Sequence, residues 1–167
     1  MDEFTQDIPI EQLLEMYSGT VYRLAYSRTG NKQDAEDITQ DVFMKYIKSD
    51  IRFQDEEHRK AWLLKVTVNT VKNLLTSAWF RHRGDASELE KLEEDVAELP
   101  EEKSEVYYAV MKLPLKYRTV VHLFYYEEYS IKEISGILDK NESTVKSLLH
   151  RSRKMLKSLL KEDIYEF

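Results

Sequence analysis

The chain has 167 residues, of which 34% are charged and 42% are hydrophobic, and its formal net charge is −6. That length allows one ordinary domain or two small ones, and it excludes a large barrel enzyme. Because only four glycines and three prolines are available for turns, long helices are favoured over an all-β fold. The absence of cysteine excludes disulfides, thiolate metal sites, thiol nucleophiles and iron–sulfur clusters.

Neither a membrane span nor a secretion signal is predicted. Uninterrupted apolar runs reach about four residues, as at Ala61 to Leu64, whereas a helical span needs about 20. Residues 1–4 lack the basic start and apolar core of a signal peptide. We therefore expect a cytoplasmic protein that does not insert into membranes.

The charges are segregated along the chain. Residues 59–83 carry six bases and no acid, and residues 130–161 carry eight bases and three acids. The segment 86–105 between them carries nine acids and two bases. Basic patches of this kind are expected where a protein contacts a polyanion such as a nucleic acid. Two solvated helix faces on either side of an acidic linker would give the same pattern.

Three helices are predicted in the first half of the chain. The first ends near Gly30, and its apolar stripe consists of Ile10, Leu13, Leu14, Tyr17, Val21, Leu24 and Ala25. Asn31 is the predicted N-cap of the second, whose stripe consists of Ala35, Ile38, Val42, Phe43, Tyr46 and Ile47. The third runs from after Asp55 to about Phe80, with core positions at Trp62, Leu63, Val66, Thr70 and Leu74. The β-branched run 66–71 could form a strand, but the flanking helical periodicity favours a helix.

An acidic linker, residues 84–103, separates two predicted domains, 1–83 and 104–167. The linker contains Pro100, repeated Glu and few large apolar groups. Beyond it, helices are predicted at 104–112 and at 115–128, with a break at Leu113-Pro114. The predicted fold class is therefore all-α, with two small helical domains.

The C-terminal domain ends in a predicted helix-turn-helix. A short helix with a stripe at Ile131, Ile134 and Leu138 is followed by a polar turn at 139–142. Ser143 is the predicted N-cap of a long last helix. The inner face of that helix consists of Val145, Leu149, Ser152 and Leu156. A short helix, a tight turn and a longer helix with a basic outer face are typical of duplex DNA readers.

The outer face of the last helix carries the candidate DNA-binding residues. Its early positions, which would reach base edges, are Lys146, Ser147, His150 and Arg151. Later positions, which would meet phosphates, are Arg153, Lys154, Lys157 and Lys161. An ordinary basic surface helix in a helical hairpin is the alternative interpretation.

The third helix carries a different mixture, which suits unpaired nucleic acid. Asn69, Lys72 and Asn73 share one side of a helix that ends in Trp79, Phe80 and Arg81. Amides can bond the Watson–Crick edge of a base, aromatic rings can stack on bases, and cations hold the backbone. Burial in a core or partner interface is the alternative for Trp79 and Phe80, whereas Trp62 lies on the apolar stripe and is assigned to the core.

No enzymatic site is predicted. The sequence contains no phosphate loop, zinc-protease motif, nucleophile elbow or Gly-rich dinucleotide turn. The four histidines have no metal-ligand spacing. We therefore predict no catalytic residue, no metal, no cofactor and no small-molecule substrate.

Three segments, in this order and with this spacer, resemble the extracytoplasmic-function (ECF) sigma factors, which are the small two-domain members of the bacterial sigma-seventy family. They are residues 34–43 (DAEDITQDVF), Ala61-Trp62-Leu63 with Val68-Asn69-Thr70, and residues 143–153 (STVKSLLHRSR). The resemblance covers roughly residues 17–160 without the linker. It implies a protein that binds core RNA polymerase, directs it to promoters and helps to open the duplex, without catalysing RNA synthesis.

The resemblance also implies a role for each surface. The second helix would dock on the clamp helices of the largest polymerase subunit through Asp34, Asp37, Gln40, Asp41, Phe43 and Met44. The melted minus-ten strand would be held by Lys65, Asn69, Lys72, Asn73, Trp79 and Arg81. The minus-thirty-five element would be read in the major groove by Lys146, Ser147, His150, Arg151, Arg153, Lys154 and Lys157. The linker would run toward the RNA exit path, and an anti-sigma factor would clamp the two domains.

Some positions depart from the family pattern, and two rival functions stay open. Leu148 stands where a basic residue is common, and Asp139 stands where Gly is frequent. Residues 66–71 lack the frequent Ala-Arg pair before Asn69, so a minus-ten preference cannot be transferred. The rivals are a DNA-binding regulator that acts without polymerase and a protein that only binds a partner. The 34–43 motif has no role in a simple DNA-binding regulator.

Overall fold

The computed structural model describes residues 8–81 and 104–165, with the side chains of 78–81 and 162–165 excepted. Every regular element in these two ranges is helical. The chain divides into two compact units on either side of the Arg83–Gly84 bond. The predicted linker, 84–103, lies outside the described residues.

The part of the N-terminal unit that the structure describes forms three helices, α1 (Ile10–Thr29), α2 (Lys32–Lys48) and α3 (Glu56–Arg81). The boundary between α1 and α2 follows the predicted signals. Gly30 has a φ of 65°, a left-handed conformation that glycine adopts without strain, and its N–H donates to the Tyr26 carbonyl over 2.7 Å. The Asn31 side chain then accepts a 2.9 Å hydrogen bond from the Asp34 backbone N–H, which confirms the predicted N-cap.

The apolar stripes of the three helices meet in one core. This core contains Leu13, Tyr17, Val21, Ala25, Ala35, Ile38, Val42, Phe43, Leu63 and Val71, with Trp62 packed against it. The β-branched run 66–71 is helical, as predicted, because Val68 and Val71 are buried and the Thr67 hydroxyl bonds the Leu63 carbonyl over 2.6 Å.

Three residues assigned to these stripes are exposed instead. Leu14 and Leu74 are each 38% exposed, and Ile47 is 57% exposed. A three-helix unit offers each helix contact on only part of its circumference, so the edges of a broad apolar stripe stay in solvent. The predicted core was therefore too wide at these positions.

A partly buried polar network joins α1 to the start of α3. Arg59 is fully buried, pairs with the Glu56 carboxylate, and lies with its guanidinium carbon 5.6 Å from the Phe53 ring centre. The Tyr17 hydroxyl donates to the same carboxylate. Desolvation raises the pKa of Tyr17, and the bond to Glu56 and its negative charge raise the pKa further, whereas Arg59 opposes the shift. Glu56 thereby holds both a neutral phenol and a buried cation.

In the C-terminal unit, the described residues form four α-helices, α4 (Glu105–Met111), α5 (Leu115–Val121), α6 (Ile131–Leu138) and α7 (Glu142–Tyr165). Helix α4 is capped by Ser104, and the break at Leu113-Pro114 lies where the sequence predicts it. The helix predicted over 115–128 is α-helical only to Val121. It continues as a π-helical turn, His122–Tyr126, so the single-helix prediction was wrong at this end. The His122 and Glu127 side chains are both largely buried and lie 3.3 Å apart, so they tie this turn to the residue that follows it.

Helices α6 and α7 form the predicted helix-turn-helix. Ser130 and Glu133 make a reciprocal capping box at the start of α6. Asp139 ends the helix with a φ of 53°, a conformation that Asp tolerates in place of Gly. The core between the two helices includes Ile134, Ile137 and Val145.

The N-cap of α7 is Asn141 rather than Ser143. The Asn141 side-chain oxygen accepts a 2.8 Å hydrogen bond from the Thr144 N–H, and the Ser143 hydroxyl donates to the same oxygen over 2.9 Å. Because the helix begins at Glu142, Ser143 lies inside its first turn and cannot be the cap. The prediction was therefore wrong by two residues.

The raised pKa of Tyr17 predicts that the stability of the fold depends on pH. Because the folded state raises the pKa of Tyr17, the unfolded chain loses the phenolic proton first as the pH rises. This contribution to stability is fully present below about pH 10 and is lost as the pH rises above it. We expect the free energy of unfolding of the wild type, measured by urea denaturation, to fall more steeply above about pH 10 than that of Tyr17→Phe. Parallel pH profiles for the two proteins would contradict this.

Candidate nucleic-acid and partner interfaces

The solvent face of α7 carries every residue predicted to read duplex DNA. Val145, Leu149 and Ser152 are buried, as predicted for the inner face. The exposed residues are Lys146, Ser147, His150, Arg151, Arg153, Lys154 and Lys157. The structure therefore brings the predicted positions together on the side of the helix that faces away from the core.

The exposed positions of α7 form two neighbouring rows. Lys146, His150, Arg153 and Lys157 follow one another at spacings of four, three and four residues, so they share one side of the helix. The other row consists of Ser147, Arg151 and Lys154. Leu148 belongs to neither row because it is only 7% exposed and packs in the core. Burial accounts for an apolar residue at this position.

Arg153 differs from the other bases of α7 in having an aromatic neighbour on the π-helical turn. Its Nε donates a 2.6 Å hydrogen bond to the Tyr125 hydroxyl. Its guanidinium carbon lies 5.7 Å from the Phe124 ring centre and 5.8 Å from the Tyr125 ring centre. The sequence prediction treated Arg153 as a free phosphate contact and missed this pairing. The only signal for it is the aromatic run 124–126.

The candidate single-strand surface lies on α3. Asn69, Lys72 and Asn73 are exposed at spacings of three and one residues, and Lys65 is half-buried one turn earlier. The structure therefore places these four residues on adjoining turns with two amides directed to solvent. The side chains of Trp79 and Arg81 lie outside the described residues.

The candidate docking residues on α2 divide between surface and core. Asp37, Gln40, Asp41 and Met44 are exposed, and Asp34 is half-buried next to its cap. Two of the carboxylates have partners on their own helix: Asp37 accepts from Gln33 over 3.1 Å, and Asp41 pairs with Lys45 over 3.1 Å.

Phe43 belongs to the core rather than to the exposed surface. It is 4% exposed and packs among the buried residues of α1 and α2. This burial agrees with the place of Phe43 on the predicted apolar stripe of α2. Its ring also lines the groove described next, where a docking partner could reach it.

A groove of about 610 Å³ lies between α1 and α2 and borders the exposed docking residues. Its lining is mostly apolar and includes Leu14, Tyr22, Phe43, Met44 and Ile47. Leu14, Met44 and Ile47 are 38%, 46% and 57% exposed, so three large apolar side chains of the groove are accessible to solvent. Burial, with the nearby Glu36 carboxylate, raises the pKa of the Tyr22 hydroxyl. The sequence prediction missed the groove because it assigned Leu14 and Ile47 to the core.

The described residues contain no cluster of three or more His, Asp or Glu side chains that could hold a metal ion. None of the helices in the described part of the chain is long and apolar enough to cross a membrane.

The sequence matches two family models in chain order. Sigma-70 region 2 matches residues 13–81, and Sigma-70, region 4 matches residues 103–156. The first match therefore covers α1 to α3, and the second covers α4 to α6 and the first half of α7.

Curated relatives resemble most of the chain. RNA polymerase sigma factor SigV of Bacillus subtilis is 31% identical over 86% of this chain and 86% of the relative. ECF RNA polymerase sigma factor SigW of the same organism is 30% identical over 90% of this chain and 88% of the relative. ECF RNA polymerase sigma factor SigE of Mycolicibacterium smegmatis is 31% identical, and the chain spans 61% of that longer relative.

Two solved structures share the fold. The sigma factor RpoE of Bartonella quintana, in complex with the anti-sigma factor NepR, matches with a TM-score of 0.67 and 22% identity over 91% of this chain and 96% of that chain. CnrH, in complex with the cytosolic domain of CnrY, matches with a TM-score of 0.62 and 21% identity over 92% and 88% of the two chains. Both sigma-70 regions are present in order, and SigV and SigW, at 31% and 30% identity, are covered over 86% and 88% of their length, so the chain belongs to the ECF sigma factors of the sigma-70 family.

Proposed function

We propose that this chain binds core RNA polymerase and directs it to specific promoters as an ECF sigma factor. The observation that carries the proposal is the presence of region 2 and region 4 in one chain, each with its expected surface exposed. A DNA-binding regulator that ignores polymerase would leave the region 2 unit without a role. The protein acts in the cytoplasm, where polymerase lies, and contributes binding and promoter choice rather than catalysis.

The groove between α1 and α2 is the proposed polymerase-binding surface. Exposed apolar side chains at Leu14, Met44 and Ile47 can bury area against a partner helix, because an amphipathic helix packs its apolar face into such a groove. Asp37 and Gln40, exposed on α2 beside the groove, would then bond the polar rim of that partner.

Ile47→Asp tests this surface by co-purification of the chain with core RNA polymerase. Burying an isoleucine contributes about 1.5–3 kcal/mol, so replacing it with a charge should weaken polymerase binding at least about tenfold. Leu74→Asp is the control, because Leu74 is also an exposed apolar side chain, at 38%, and does not line the groove. The groove is the wrong surface if both variants bind equally well, and the proposed function fails if the wild-type chain never binds core polymerase.

The exposed rows of α7 are the proposed reader of the minus-thirty-five element. The first turns of a recognition helix reach base edges in the major groove, whereas later turns meet phosphates. Arg151 lies early enough to donate to guanine, and Lys157 lies a turn and a half further along.

Arg151→Ala and Lys157→Ala separate these two roles. We expect Arg151→Ala to cost about 1–3 kcal/mol on the matched promoter and little on a scrambled one, because a base contact is lost. We expect Lys157→Ala to weaken binding to both promoters. It should also reduce the slope of log K against the logarithm of the salt concentration by about one, because a phosphate contact is lost. The measurement is holoenzyme binding to matched and scrambled duplexes over a salt series, and equal losses on both duplexes for both variants would refute the assignment.

The exposed amides of α3 are the proposed contact for the melted minus-ten strand. Asn69 and Asn73 each offer a donor and an acceptor to an unpaired base, and Lys72 between them offers charge to the backbone. The helix around them is held by the core residues Val68 and Val71, so the amides are presented from a rigid element.

Asn69→Ala should impair promoter opening more than polymerase binding. The side chain is exposed, so the fold should tolerate the change, while a base loses its hydrogen-bond partner. Permanganate footprinting of the promoter bubble, beside a co-purification with core polymerase, measures the two effects. A footprint of wild-type strength, or an equal loss in both assays, would contradict the role of Asn69.

An anti-sigma factor is the proposed inhibitory partner. The relevant surface is the same apolar groove, because a partner that covers Leu14, Met44 and Ile47 would exclude polymerase. The acidic linker, 84–103, is proposed to run toward the RNA exit path, where its charge would resemble that of RNA.

A further inference from the structure

Contacts within the C-terminal unit restrict the Arg153 side chain. Within the described residues, it has a hydrogen-bond partner in Tyr125, whereas its neighbours Lys154 and Lys157 have none. The Phe124 and Tyr125 rings lie at 80° to each other with their centres 5.0 Å apart, and each lies within 6 Å of the guanidinium carbon. One hydrogen bond and two ring faces therefore restrict the side chain.

The contact leaves most of the guanidinium free. Arginine has five N–H donors in a planar fork, and the bond to Tyr125 uses the one on Nε. The two terminal nitrogens keep the geometry that bonds a phosphate with two parallel hydrogen bonds. Arg153 is an exposed residue.

Arg153 lies on the row of exposed α7 residues that is proposed to face duplex DNA. Arg153 lies seven residues after Lys146 and three after His150, on the same side of α7. Lys157 extends the row by a further turn. A duplex contacted by Lys146 and His150 would bring its backbone past Arg153.

We propose that Tyr125, supported by Phe124, is a positioning residue that pre-orders Arg153 as a phosphate clamp for duplex DNA. The inference rests on the proposed function, since it requires α7 to bind duplex DNA. A free arginine loses conformational entropy when a phosphate fixes it, and this loss weakens binding. In this protein the Arg153 side chain loses that conformational entropy when the chain folds. A larger part of the phosphate interaction energy therefore contributes to affinity.

A double-mutant cycle on the full-length chain tests the proposal, with random-sequence duplex DNA as the probe and fluorescence anisotropy as the readout. We expect Tyr125→Phe to weaken binding about threefold, because the hydroxyl that orders Arg153 is lost while the ring remains. Its salt slope should match that of the wild type, since the number of phosphate contacts is unchanged. Arg153→Ala should weaken binding further and reduce the slope by about one.

The decisive comparison is the effect of Tyr125→Phe when Arg153 is already absent. We expect no additional loss in the Arg153→Ala background. Tyr126→Phe is the matched control: Tyr126 is as exposed as Tyr125, but its ring stacks on His122, so binding should not change.

Three outcomes overturn the inference. The first is wild-type affinity for Tyr125→Phe. The second is an equal loss from Tyr125→Phe with and without Arg153, which would mean that Tyr125 acts only through the stability of the fold. The third is wild-type affinity for Arg153→Ala while Lys157→Ala still weakens binding. A failure of the proposed DNA-binding role of α7 looks different: the wild-type chain does not bind the duplex, or Lys157→Ala and Arg153→Ala both bind it as the wild type does.

Discussion

Burial of one apolar stripe on each helix is the interaction on which the rest of the structure depends. In each unit, the stripe fixes how a helix is rotated, and rotation decides which side chains reach solvent. On α7, burial of Val145, Leu149 and Ser152 directs Lys146, Arg151 and their neighbours outward. On α3, burial of Val68 and Val71 does the same for Asn69. The functional surfaces are therefore consequences of core packing rather than separate features.

Much of this arrangement could be predicted from the sequence, because the signals are local. The Asn31 cap and the end of α1 at Gly30 depend on a few neighbouring residues and fixed backbone chemistry. The helix-turn-helix could be predicted because its periodicity, its polar turn and its charge polarity agree. Asp139, which departs from the family pattern, fits the same left-handed position that glycine would occupy.

The features that could not be predicted depend on how far packing extends and on contacts distant in sequence. A helical stripe shows which residues can be buried but not where the neighbouring helices stop, so Leu14 and Ile47 were assigned to the core although they line a groove. The pairing of Arg153 with Tyr125 joins residues 28 positions apart, and no local pattern marks it. The π-helical turn that presents Tyr125 likewise has no signal in the periodicity.

The two units carry different surfaces, one proposed to bind polymerase and the other proposed to bind duplex DNA, and the proposed function requires both in one protein. Run-off transcription with core RNA polymerase, with and without the purified chain, over a library of genomic promoter fragments tests this most directly. We predict transcripts that begin at defined positions on a subset of fragments, and only when the chain is present. If sigma-free polymerase never initiates at a defined position after the chain is added, the proposed function is contradicted.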